Sequence, residues 1–173
     1  MSNYLESALE RLRTYKSLGE RTFDQISDND IHWQFNEASN SIAITIKHIV
    51  GNMLSRFTNF LTEDGEKSWR HRDTEFEDPY KNKAEMLAGW EKGWKCVFDA
   101  LEPLSESQMQ QTVLIRNEEH TIIEAVNRQL MHYAYHIGQI VYIARMIKGN
   151  DWQSLSIPKG LSKEFNAKMF SEK

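Results

Sequence analysis

Residues 121–148, TIIEAVNRQLMHYAYHIGQIVYIARMIK, decide the fold. Apolar side chains fall at Ile122, Ile123, Val126, Leu130, Ala134, Ile137, Ile140, Val141, Ile143 and Ile147, on nearly every side of a helix with 3.6 residues per turn. A helix that is apolar almost all round is buried on most faces, so other helices must surround it. The pattern stops at Gly149-Asn150, a C-terminal signal because glycine accepts the left-handed cap conformation without steric cost.

Three more amphipathic segments supply that surround. The first runs from about Tyr4 to Ile26, with Leu5, Ala8, Leu9, Leu12, Tyr15, Leu18 and Thr22 on one stripe and an Asn3/Glu6 capping box at its start. After the polar turn 27–40, Ser39 or Asn40 is placed to cap a second helix over about Ser41 to Thr62. A third helix starts near Asn82, carries Leu87, Trp90, Trp94, Val97, Phe98 and Leu101 on one side, and ends before Pro103. Pro79, Pro103 and Pro158 all fall outside the helical patterns. Between the third and fourth helices, residues 104–120 include a short β-like run at Thr112 to Arg116.

These four segments predict an all-α four-helix bundle. The aperiodic linker EDGEKSWRHRDTEFEDPYKN (residues 63–82) is long enough to cross the bundle between helices two and three, which permits up-down-down-up topology. The expected organisation is a single domain over residues 1–173, with about 149–173 as a docked tail containing one short helical turn.

Composition narrows the function classes. The 173 residues are 40% apolar and 27% charged with a net charge of -4, an ordinary globular balance. Lysines and arginines are scattered, so no basic footprint for nucleic acid is present. No apolar run reaches the roughly 18 residues of a membrane span, and the start, MSNYLESALERLR, does not read as a secretory signal. A single cysteine, Cys96, excludes an internal disulfide and fits a reducing compartment, so the expected location is cytoplasmic.

Chemistry enters through the fourth helix, where His132 and His136 lie one turn apart on one face. A lone histidine on an apolar helix is usually a hydrogen-bonded core residue. A pair is harder to satisfy there, because each ring needs its own partner, and two rings at this spacing can share one metal ion. The third candidate ligand is His48, in the middle of SIAITIKHIVGNMLSRF (residues 41–57). It lies on a stripe of small or polar residues, Ser41, Thr45, Asn52, Ser55 and Asn59, opposite the apolar face of Ile42, Ile46, Met53 and Phe57. That stripe is either solvated or lines a polar cavity facing helix four. His32, His71 and His120 read as surface or structural.

Three histidines without a fourth protein ligand leave an open position, as in catalytic zinc sites. Gln139 and Arg128 share the stripe of the pair, and with Asn52 they are the candidate groups for orienting ligands or substrate. No carboxylate shares the stripe and no His-Glu-x-x-His motif occurs, which tilts the chemistry from hydrolysis toward thiol transfer. A loop carboxylate, Asp73 or Glu75, folding over the metal would reverse that argument.

Trp33 ahead of SIAITIKHIVGN, and MHYAYHIGQIVYIARM (residues 131–146), resemble the DinB/YfiT-like superfamily over essentially the whole chain. GEKSWRHRDTEFE (residues 65–77) and the SIPKG tail resemble an uncharacterised bacterial subgroup of it. The resemblance implies a four-helix bundle, often a homodimer, with one divalent metal ion, zinc or nickel, on the three matched histidines. It implies a metal-dependent enzyme acting on a small-molecule substrate, either a thiol transferase using a low-molecular-weight thiol or a hydrolase. The alternative is a non-enzymatic metal- or ligand-binding dimeric bundle. Substrate-contacting residues do not carry over; Arg56, Arg128 and Trp69 are candidates for an anionic substrate, with packing or surface roles as the competing reading.

Overall fold

The computed structural model describes residues 3–77 and 80–171. It is mostly helical, with four long helices: α1 (Tyr4–Phe23), α2 (Ile42–Phe57), α4 (Lys83–Leu101) and α5 (Ile122–Lys148). A one-turn helix α3 (Thr74–Glu77), a hairpin of β1 (Thr112–Ile115) and β2 (Glu118–Thr121), and a terminal helix α6 (Ser162–Ser171) complete it. Pro79, read from the sequence as outside the helical patterns, lies outside the described residues.

Each long helix begins where a side chain can accept an otherwise unpaired backbone N–H. Asn3 and Glu6 form the expected capping box on α1. Ser41, rather than Ser39 or Asn40, caps α2 by accepting from the Ile44 N–H at 3.2 Å. Asn82 caps α4 through the Glu85 N–H, and Thr121 with Glu124 forms a capping box on α5. Gly149, with φ of 54°, ends α5. Helix α2 is shorter than its sequence pattern, stopping at Phe57; Asn59 turns left-handed with φ of 50°, which a continuing helix cannot accommodate.

In the core, α2 lies along α4 and α1 along α5, while α2 also meets α5. Trp90 and Trp94 are fully buried, with ring centroids 5.5 Å apart, and Phe23 from α1 meets the Trp90 edge at 5.1 Å. Tyr133 of α5 closes this aromatic cluster against Trp94.

The hairpin exceeds the sequence expectation of one β-like run. Arg116 and Asn117 both have positive φ, the requirement of a two-residue I′-type turn. Their backbone N–H groups donate to the Asp64 carboxylate, and the Gly65 N–H donates to the Leu114 carbonyl. The hairpin is thereby tied to the chain leaving α2. The tail also departs from expectation. Trp152 packs on the core, but α6 spans Ser162–Ser171 with no buried residue, so that part is not docked. No helix among the described residues is long and apolar enough to cross a membrane.

Candidate metal centre

The polar stripe on α2 is not solvated. Ser41, Thr45, Asn52 and Ser55 are buried together with His48 and Arg56, on the side of α2 that meets α5 and the 63–77 linker, while Asn59, beyond the end of α2, is exposed. From α5, His132 and His136 project toward the same point. The His132 Nε2 lies 3.2 Å from the His48 Nε2 and 3.0 Å from the His136 Nε2, and the three candidate ligand atoms all fall within 4.8 Å of one another. Two imidazole nitrogens on a tetrahedral zinc ion sit roughly 3.3 Å apart, from bonds of about 2.0–2.1 Å. The two separations from His132 are close to that.

The partners behind the rings decide which nitrogens face the centre. His48 Nδ1 donates to the Glu75 carboxylate at 2.9 Å, and His136 Nδ1 donates to the Gln139 Oε1 at 2.8 Å. Both oxygens accept, so each Nδ1 carries the proton and each Nε2 presents a lone pair inward. Converging lone pairs repel unless a cation or proton lies between them. A carboxylate or carbonyl behind a ligating imidazole is the arrangement that orients histidines at metal sites. The His132 Nδ1 is buried without a hydrogen-bond partner among the described residues. Burial, with His136 and His48 as positive neighbours when charged, lowers the His132 pKa to about 3. Burial likewise lowers that of His136, against the opposing Gln139 hydrogen bond. Both rings are therefore neutral near neutrality, the form that binds metal.

Glu75 is the loop carboxylate that the sequence left open. It folds back, but behind the His48 ring. Arg70 holds it through two contacts of 2.8 and 3.0 Å, from Nε to Oε1 and from Nη2 to Oε2. Burial works to raise the Glu75 pKa, and the His48 and Arg70 hydrogen bonds outweigh it, holding the carboxyl below its ordinary range. The approach needs Gly51, because a Cβ at that position collides with the Glu75 carboxylate. Sequence periodicity could not reveal this partner, since Glu75 comes from an aperiodic linker. The signal present was a glycine one turn after His48 on a helix with no other need for it.

A cavity of about 390 Å³ opens beside His48 and His132, lined by Asn52, Arg56, Arg70, Arg72, Arg116, Arg128 and Gln129 among others. Asn52 and Arg128 both line this cavity, with the Asn52 Oδ1 accepting from the Tyr133 hydroxyl at 3.4 Å. Arg56 is buried and bound to the Gly65 carbonyl and Glu66, so it has a packing role as well as a wall of the cavity. Trp69 is exposed and outside the lining. His32, His71 and His120 lie outside the three-histidine group. A larger groove of about 590 Å³ at Cys96 contains none of the three histidines, and burial pushes that thiol's pKa up, away from the reactive thiolate.

Neither the curated proteins nor the solved structures contain a match to this sequence. One family model matches, DUF1572, described as a protein of unknown function, over residues 1–161. That span takes in all four long helices, the three histidines, Glu75 and Gln139, so the chain belongs to the DUF1572 family.

Proposed function

We propose that this protein is a divalent-metal-dependent enzyme acting on a small molecule, with zinc or nickel held by His48, His132 and His136. The observation that carries the reading is the convergence of three Nε2 atoms, with the His48 ring locked from behind by Glu75 and the His136 ring by Gln139. Three neutral ligands leave the ion its full charge and an open position, which supplies acidity toward a bound thiol or water.

The chain's own groups favour thiol transfer to an electrophile over hydrolysis. Both Glu75 oxygens are engaged by Arg70 and His48, and among the described residues no carboxylate lines the cavity beside the histidines. A hydrolase here lacks a positioned general base, whereas thiolate chemistry requires none. Asn52 and Arg128 orient substrate from the cavity wall, and Gln139 keeps His136 in its ligating tautomer.

The DinB/YfiT-like resemblance supports the same assignment and the up-down-down-up topology, to which the long linker before α4 is suited. We infer a homodimer as well, since α5 carries an exposed row of Met131, Tyr135, Tyr142 and Met146. Cys96 as an unpaired thiol fits the reducing cytoplasm.

The test is elemental analysis of freshly purified protein, before and after loading with zinc and with nickel. One equivalent retained through gel filtration is expected, and lost in His132→Ala. Protein that retains no transition metal after loading overturns the proposal.

A further inference from the structure

The wall of the cavity beside His132 is unusual for a protein with net charge -4. Among the described residues five arginines line it against three carboxylates: Glu75 on Arg70, Glu66 shared by the guanidiniums of Arg56 and Arg116, and Asp64 on the Arg116 backbone N–H. The exposed Arg72 guanidinium lies over the Phe76 ring at 5.3 Å, and neither it nor the exposed Arg128 side chain has a hydrogen bond or ion pair among the described residues. The cavity therefore carries uncompensated positive charge before any metal ion is added. Like charges gathered this way repel one another, so an arrangement of this kind is stabilised by an anion.

Two buried atoms add independent weight. The Gln129 side chain is 3% exposed and its Oε1 has no partner, and the Arg56 Nε, on a side chain 5% exposed, has none either. A buried acceptor and a buried donor left unpaired each cost free energy unless a ligand completes them. Both residues line the cavity, and although neither atom is open to it as the side chains stand, a ligand that turns them completes them: an anionic group for the guanidiniums, and an N–H or O–H donor for Gln129.

We propose that this cavity is an anion subsite, so that the substrate is a small molecule carrying a carboxylate or phosphate together with a neighbouring N–H or O–H donor. Arg128 and Arg72 hold the anionic group, and Gln129 with Asn52 reads the polar group next to it. A volume of about 390 Å³ suits a metabolite-sized ligand rather than a polymer. The inference rests on the metal-enzyme reading for the word substrate, but the subsite is defined by residues that are not metal ligands.

The experiment is calorimetric titration of metal-free full-length protein with succinate, inorganic phosphate and the neutral isostere succinamide. Succinate or phosphate is expected to bind about tenfold or more tightly than succinamide, as charge-assisted hydrogen bonds imply. Preference between the two anions then assigns carboxylate or phosphate. Arg128→Gln is expected to weaken that binding about tenfold, while Arg13→Gln, the same charge change on α1, leaves it unaltered. Equal affinity for all three probes, or equal loss in both variants, overturns the proposal. Anion binding that persists in His132→Ala supports the subsite even where metal binding is gone. A protein that holds its metal but no anion refutes the subsite alone.

Discussion

Helix α2 has two buried faces built on opposite principles. Toward α4 the contact is apolar and close: a Cβ at Gly93 would meet Met53 Sδ at 2.9 Å and Val50 Cγ2 at 3.3 Å, and Trp90 and Trp94 are fully enclosed. Toward α5 the same helix buries His48, Asn52 and the charged Arg56 beside an open cavity; unpaired buried atoms occur on both sides, on His132, Gln129 and Arg56 here and at the Nε1 of Trp90 and Trp94 there, but only this side opens to a cavity lined by charged groups. Apolar packing contributes stability in proportion to the area removed from water. A half-satisfied polar network costs stability, because low dielectric magnifies each unmade bond. The first face therefore holds the fold, and the second is shaped for a ligand. Tyr133 joins them, its ring against Trp94 and its hydroxyl on Asn52.

The largest effect expected from a single change is on the apolar face. Trp90→Ala or Trp94→Ala should cost about 3–5 kcal/mol in denaturant unfolding, through lost transfer energy and a residual cavity. The protein that remains folded should still take up one equivalent of metal. A tryptophan truncation that spares stability but abolishes metal uptake would break the division between the faces.

On the polar face, Glu75→Gln keeps the shape and removes the charge behind His48. Metal affinity should fall about 10–100-fold in competition with a chelator, the usual effect of losing such a partner. Gly51→Ala should have a similar outcome by displacing the same carboxylate. Unchanged affinity in both variants would mean that the Glu75 contact does not orient the ring.

The two faces were unequally legible in the sequence. Helix existence, the caps at Asn3 and Asn82, and the Gly149 stop could be read because each is local. The pairing of His132 with His136 could be read because helical spacing alone sets it. His48 was reachable only by elimination, since its stripe reads equally as a solvated face. Glu75 and the arginines at 56, 70, 72, 116 and 128 come from separate segments, with Arg70, Arg72 and Glu75 in an aperiodic linker, and only tertiary structure gathers them. β2 was missed because EEHT lacks the apolar alternation of a strand; its pairing follows from the Arg116-Asn117 turn. Helix α6 was underestimated because it buries nothing, so its length rests on local propensity without a core-facing stripe.

A smaller change isolates the cost of the polar face in the metal-free protein. His132→Leu replaces a ring whose Nδ1 is unpaired with an apolar side chain of comparable bulk, in a half-buried setting. Removing an unsatisfied polar group is worth on the order of 1 kcal/mol, so the variant should be as stable as the parent or slightly more so, with no metal uptake. Substantial destabilisation would show that His132 makes a structural bond that the geometry does not reveal.

The same substitution sharpens a pH prediction. The His132 pKa is lowered in the folded state to about 3, from an ordinary value of 6.5, and that of His136 is lowered too. Above the ordinary value, folded and unfolded chains are both unprotonated at these rings, and pH has no leverage through them. As pH falls below about 6.5 the unfolded chain takes up protons that the folded chain refuses, so stability declines until the folded-state value is reached. Metal-free protein should therefore melt at progressively lower temperature from pH 6.5 toward pH 4, and His132→Leu should show a shallower decline. Bound metal should hold the melting temperature up at pH 7 and lose that advantage on acidification, because protons compete for the same lone pairs. Parallel pH profiles for the parent and His132→Leu would assign the acid sensitivity to other groups, and with it would go the account of the α5-facing side as the part of the molecule that a ligand completes.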